Sequence, residues 1–118
     1  MIDGGIKLTK EEIITGISEL VNQERELGDK KHFKITHSDH ESYAVILEEY
    51  EEVKEELQDF TDFMADFWKN VRNDDKEPEK LWALKHMSKT CYNLIYEAIQ
   101  LAGVVEKAAD SICERGVE

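Results

Sequence analysis

The spacing of apolar residues near the start of the chain predicts a helix. Six of them recur at intervals of three and four residues: Ile13, Ile14, Ile17, Leu20, Val21 and Leu27. Thr9 and Glu12 have the spacing of a capping box, and Gly28 is typical of a helix end. We therefore predict a first helix over residues 10–27.

The longest apolar stripe predicts a second helix over residues 40–72, about 50 Å long. Ser38 and Glu41 repeat the capping-box pattern just before it, so residues 29–39 should form a connecting loop. A helix of this length must pack along another of similar length. The stripe contains Tyr43, Ile46, Tyr50, Val53, Leu57, Phe60, Met64, Phe67 and Val71.

A third helix is predicted over residues 79–113, after a turn at residues 73–80. Pro78 suits its first turn, and apolar residues continue from Leu84 to Ile112 at helical spacing. No segment alternates as a strand does. We expect an all-α, antiparallel helical bundle, built on a long two-helix hairpin with the N-terminal helix on one flank. Three helices leave an open side, so oligomerisation should complete the bundle.

Composition narrows the possible functions. The 118 residues suit one domain, and 27 acidic against 15 basic residues give a net charge of −12. Such a charge repels phosphate backbones, so nucleic acid is not an expected partner. No apolar run is long enough for a bilayer, and the first ten residues lack a secretion-signal pattern. With Cys91 and Cys113 interpreted as reduced thiols, we expect a cytoplasmic protein without a membrane partner.

The acidic residues are concentrated in residues 46–57, ILEEYEEVKEEL. Like charges four residues apart each cost a helix roughly 0.2–0.5 kcal/mol, although acidic proteins often carry such a solvated face. The run alone decides little. On the third helix, however, Glu97 and Gln100 interrupt an apolar stretch, YEAIQ, and share one helix face.

An antiparallel hairpin places these two features at one level. Pairing Glu49 with Gln100 and Glu52 with Glu97 puts the midpoint between residues 74 and 75, inside the predicted turn. Oxygen ligands facing each other across two helices suit Mg²⁺. Glu52 lies further from the apolar stripe than Glu49, so either the stripe is broad or a second subunit covers that side.

These residues resemble a known motif pair. Glu48, Glu49 and Glu52, followed by Glu97 and Gln100, are similar to the EExxE…ExxD signature of MazG-like proteins in the all-α nucleoside triphosphate pyrophosphohydrolase superfamily. The flanking text, HSDHESYAVILEEYEEVKEEL at 37–57 and LIYEAIQLAG at 94–103, is similar to phage-type and prophage-type members. The resemblance covers roughly residues 32–110.

The resemblance implies a helical dimer or tetramer that uses Mg²⁺, with Mn²⁺ as a substitute, to hydrolyse a nucleoside triphosphate to the monophosphate and pyrophosphate. Nucleotide-pool housecleaning would be one role. It implies metal ligation by Glu49, Glu52 and Glu97, with Glu48 at the attacking water. Gln100 stands where the signature has aspartate, and its neutral oxygen binds a hard cation less strongly. Either a variant site stays active, or a non-catalytic interaction or nucleotide-binding protein remains.

The substrate needs further contacts. Lys85 and Lys89 are candidates for its phosphates, as are the lysines at 30, 31 and 34, although a solvated surface charge is the more common role for each. Base recognition is expected near Tyr43, Asn93 or Tyr96.

Overall fold

The chain forms three helices and no strand within the residues that its structure describes. The structure is a computed structural model that describes residues 7–31 and 35–116. The helices are α1 (Lys10–Lys31), α2 (Asp39–Arg72) and α3 (Glu77–Glu114). The prediction of an all-α fold with three helices is thus confirmed. None of the three combines the length and the hydrophobicity that crossing a membrane requires.

Both predicted capping motifs act at helix starts, but they differ in detail. At α1 the box is complete: the Thr9 N–H donates to Glu12 Oε1 at 2.7 Å, and the Glu12 N–H donates to Thr9 Oγ1 at 3.1 Å. At α2 the Glu41 N–H donates to Ser38 Oγ at 3.1 Å, while the Glu41 carboxylate accepts the N–H of His37 at 2.6 Å. The second motif therefore also fixes the backbone of His37, the residue before the N-cap.

Two predicted boundaries are wrong, by four residues at the end of α1 and by two at the start of α3. Helix α1 continues past Gly28 to Lys31, because glycine permits the left-handed conformation of a helix stop without imposing it. Lys30 then supplies a favourable positive charge in the last turn. Helix α3 begins at Glu77 rather than at residue 79, since Pro78 occupies its first turn, where no backbone N–H is needed.

Helices α2 and α3 form the predicted antiparallel hairpin around a tight turn at residues 73–76. Asp74 takes a left-handed φ of 53°, a conformation that aspartate tolerates better than most residues. The Asp75 N–H donates to the Asn70 carbonyl at 2.9 Å, and Asn70 Nδ2 donates back to Asp75 Oδ2 at 2.9 Å. This turn fixes the register that places residues 46–57 of α2 opposite residues 96–100 of α3.

Helix α1 packs on α3 and, among the described residues, makes no packing contact with α2. Val21 is buried at this contact, and Gly103 lies against it: a Cβ there would meet Arg25 Cγ at 3.4 Å, the short end of ordinary contact. Arg25 is held by Asp110 at 2.7 Å and by Glu106 at 3.4 Å. The N-terminal helix therefore covers one flank of the hairpin, as predicted, and does so by packing on α3.

A buried polar cluster, which we term the clasp, joins the start of α2 to the end of α3. It consists of Thr36, Ser42, Ser111 and Arg115. The Thr36 N–H donates to Ser111 Oγ at 2.8 Å, its hydroxyl bonds to that of Ser42, and Arg115 Nη1 donates to the Thr36 carbonyl at 2.8 Å. Arg115 also pairs with Asp39. The clasp thus binds the connection between α1 and α2, at Thr36, to the open end of the hairpin, where α2 begins and α3 ends.

The single chain buries little apolar surface. Val21, Ala83 and Ile99 are the hydrophobic residues buried within the described part of the chain. Many large apolar side chains of the predicted stripes remain exposed, as expected for helices that lack a partner on one side. They include Ile14, Leu20, Leu27, Tyr50, Leu57, Met64, Leu84, Ile95 and Val105. Trp68, Leu81 and Tyr92, which lie outside the predicted stripes, are exposed as well.

Candidate metal centre

Three carboxylates meet where the register of the hairpin predicts them. Glu49 and Glu52, one turn apart on α2, face Glu97 on α3, and one ligand oxygen from each lies within 4.8 Å of the other two. We term these residues the acidic trio. The α-helical spacing puts the first two on one face, and the turn at residues 73–76 sets the third against them. The arrangement offers three hard oxygen ligands to one point.

Burial and mutual repulsion disfavour the ionised forms of Glu97 and Glu49 in the acidic trio. Burial is the largest cause that raises the pKa of Glu97 to about 7, followed by a hydrogen bond to Glu52 and by the charges of Glu52, Glu49 and Glu56. The pKa of Glu49 is also raised, first by burial and then by the charges of Glu52 and Glu48. Protonation of Glu97 relieves this repulsion, and a divalent cation would relieve it more fully.

The acidic trio adjoins a cleft of about 690 Å³ between α1, the connection to α2, and α3, a size that is typical of small-molecule sites. We term it the site cleft. Glu48 and Glu49 line it from α2, while Gln100 and Tyr96 line it from α3. Glu48 thus lies beside Glu49 in the cleft lining but outside the trio.

Gln100 is hydrogen-bonded to α1. Its side-chain nitrogen donates to Glu24 Oε1 on α1, and both residues are half-buried and line the site cleft. Sequence reasoning missed Glu24, although a signal was present. Position 24 falls in the apolar stripe of α1, between Val21 and Leu27, so a carboxylate there interrupts the stripe as Glu97 interrupts that of α3.

The residues proposed near the base are placed differently from one another. Tyr96 lines the site cleft, and its pKa is raised by the charge of Glu24, then by burial, and then by the acidic trio. Its hydroxyl therefore stays a neutral donor at the edge of the site. Tyr43 and Asn93 are exposed and do not line the cleft.

Three of the lysines proposed for the phosphates, those at 30, 85 and 89, do not line the cleft. Lys89 and Lys85 are exposed on α3, about two and three turns before Glu97. Lys30 is exposed on α1, and Lys34 lies outside the described residues. The cleft instead contains Lys107, which extends from α3. The sequence alone does not single out Lys107, because the apolar residues around it form a wide stripe in which no polar position stands out.

Comparison of the chain with protein families, with curated proteins and with solved structures finds no match. The resemblance to MazG-like proteins therefore rests on the two motifs and their flanking residues alone. The geometry of the acidic trio and the site cleft is independent of that resemblance and carries the functional argument.

Proposed function

We propose that this chain is a Mg²⁺-dependent nucleoside triphosphate pyrophosphohydrolase of MazG-like type, which converts an NTP or dNTP to the monophosphate and pyrophosphate. The observation that carries the proposal is the acidic trio, whose ligand oxygens lie within 4.8 Å of one another beside a cleft large enough for a nucleotide. The donor set fits a hard divalent cation, since it consists of carboxylates alone.

Glu49, Glu52 and Glu97 would hold the metal, which supplies charge neutralisation and Lewis-acid activation at the phosphates when it is bound. Glu48, which lines the cleft next to Glu49, would orient the attacking water and accept its proton. Lys107 would contact the phosphate chain, and Tyr96 would donate a hydrogen bond to the nucleotide. Each of these groups extends from a helix rather than from a loop, so their geometry is largely preorganised.

We also propose that the working form is a homo-oligomer. The exposed apolar stripes, with three buried hydrophobic residues in the described chain, support this proposal. A second copy packing along the hairpin would bury side chains such as Leu57 and Tyr92 and would withdraw the acidic trio further from water. Either a dimer or a tetramer would satisfy this requirement.

Release of pyrophosphate tests the enzyme proposal. The purified chain is incubated with canonical and modified NTPs and dNTPs in Mg²⁺, and in Mn²⁺ as a substitute. We expect turnover of at least one nucleotide, with Glu49→Gln reduced by about 100-fold or more, and Glu55→Gln, an exposed neighbour on α2, unchanged. A folded protein that releases no pyrophosphate from any of them would contradict the proposal.

The second candidate is a non-catalytic helical protein that binds nucleotides or partner helices. Its support is the same exposed apolar surface, together with the neutral Gln100 in place of an aspartate. Calorimetry separates the two candidates. Nucleotide binding without product formation favours the second, whereas Mg²⁺-dependent turnover that Glu49→Gln abolishes favours the first.

A further inference from the structure

The hydrogen bond between Gln100 and Glu24 links α1 to the helix that carries Glu97. Gln100 Nε2 donates to Glu24 Oε1, and the two half-buried side chains line the site cleft together with Glu48 and Glu49. Gln100 follows Glu97 by three residues, so the two lie on the same face of α3. A residue on α1 is therefore bonded to a residue beside the acidic trio.

This bond fixes which way the glutamine amide faces. The side-chain amide carries a donor nitrogen and an acceptor oxygen, whereas an ionised carboxylate only accepts. Glu24 must therefore be met by the nitrogen of Gln100, and the planar amide then turns its oxygen away from Glu24. Without Glu24 the amide is free to flip and to offer its nitrogen, which repels a cation, in place of its oxygen.

We propose that Glu24 is a positioning residue: it holds the Gln100 amide so that the carbonyl oxygen, not the nitrogen, is presented to a cation bound by the acidic trio. The inference rests on the proposed function for the identity of that cation. It also gives a reason for Gln100 itself. An aspartate at position 100, as in the MazG-like signature, would set a second carboxylate against Glu24, so residues 24 and 100 form a matched pair.

Mn²⁺ binding to the full-length chain, measured by calorimetry, tests this coupling without relying on activity. We expect Glu24→Ala and Gln100→Ala each to weaken Mn²⁺ binding by about threefold to tenfold, and the double variant to be no weaker than Gln100→Ala. The double variant Gln100→Asp/Glu24→Ala should bind Mn²⁺ more tightly than Gln100→Asp alone, because the carboxylate that faces residue 100 is gone.

Two controls separate positioning from charge and from folding. Glu26→Ala removes an exposed carboxylate from the same helix and should leave Mn²⁺ affinity within about twofold. Ala83→Gly weakens α3 at a buried position about four turns from Glu97, so it should lower the melting temperature while the Mn²⁺ affinity of the folded protein is retained.

Three results would overturn the inference: wild-type affinity in Glu24→Ala, independent losses that add in the double variant, or no Mn²⁺ binding by the wild type. Pyrophosphate release is measured separately on the wild type. Coupled Mn²⁺ binding without release would overturn the proposed function alone, whereas release with additive losses would overturn the role of Glu24 alone.

Discussion

The raised pKa of Glu97 predicts that the metal-free protein loses stability as the pH rises. The pKa of this carboxyl group is about 7 in the folded chain, against an ordinary value of 4.5. Between these values the folded state binds more protons than the unfolded state, so the free energy of unfolding falls with increasing pH and levels off above about pH 7. The raised pKa of Glu49 acts in the same direction.

The size of the effect follows from the two pKa values. Their difference corresponds to at most about 3 kcal/mol, and solvent screening of a half-buried group reduces this to about 1–2 kcal/mol. Glu97→Gln removes the buried charge. We therefore expect this variant, without metal near pH 8, to melt about 5 °C above the wild type, with a smaller difference near pH 5.

Magnesium should reverse the order of the two proteins. The cation competes with the proton on Glu97, so it should raise the melting temperature of the wild type more near pH 8 than near pH 5, and should raise that of Glu97→Gln much less. Scanning calorimetry at one protein concentration measures both effects, with the exposed Glu55→Gln as the matched control. A metal-free wild type that gains stability from pH 5 to pH 8, or a Glu97→Gln variant less stable than the wild type near pH 8, would refute this reasoning.

Three further predictions concern the cleft, the clasp and the α1 contact. Lys107→Ala should raise KM about tenfold with little change in kcat, because a charged contact to phosphate is lost; a larger rise in Lys85→Ala or Lys89→Ala would place the phosphates outside the cleft. Ser111→Ala leaves the buried Thr36 N–H without its acceptor and should lower the free energy of unfolding by about 1–3 kcal/mol in urea titrations, whereas the exposed Ser88→Ala should not. Gly103→Ala should raise the free energy of unfolding by up to about 1 kcal/mol, because alanine favours a helix and its Cβ would meet Arg25 Cγ at 3.4 Å, a distance that the flexible side chain tolerates. Gly103→Leu should instead detach α1 from α3, which limited proteolysis would show.

The hairpin could be predicted from the sequence because its signals are local and redundant. The stripes of α2 and α3 are long, the turn residues are typical, and a single constant-sum register then places Glu52 opposite Glu97. The end of α1 could not be predicted from Gly28, because glycine is compatible both with a helix interior and with a helix stop.

The contribution of α1 to the site could not be predicted in the same way. A short turn fixes the register of α2 and α3, but the connection at residues 32–38 is too long to fix that of α1. The contact of Glu24 with Gln100 therefore depends on tertiary packing around Val21 and Gly103. The same holds for Lys107, whose place in the cleft is set by where α1 crosses α3.

The clasp has a consequence for the order in which the chain folds. A hairpin can zip from its turn outwards, since contacts near residues 73–76 close short loops and cost little entropy. The acidic trio meets midway along that path, and the Thr36–Ser111 bond, which spans 75 positions, closes last. The electrostatic repulsion of the trio thus arises before the clasp can oppose it. Refolding without Mg²⁺ should accordingly slow as the pH rises, and stopped-flow tryptophan fluorescence can follow it.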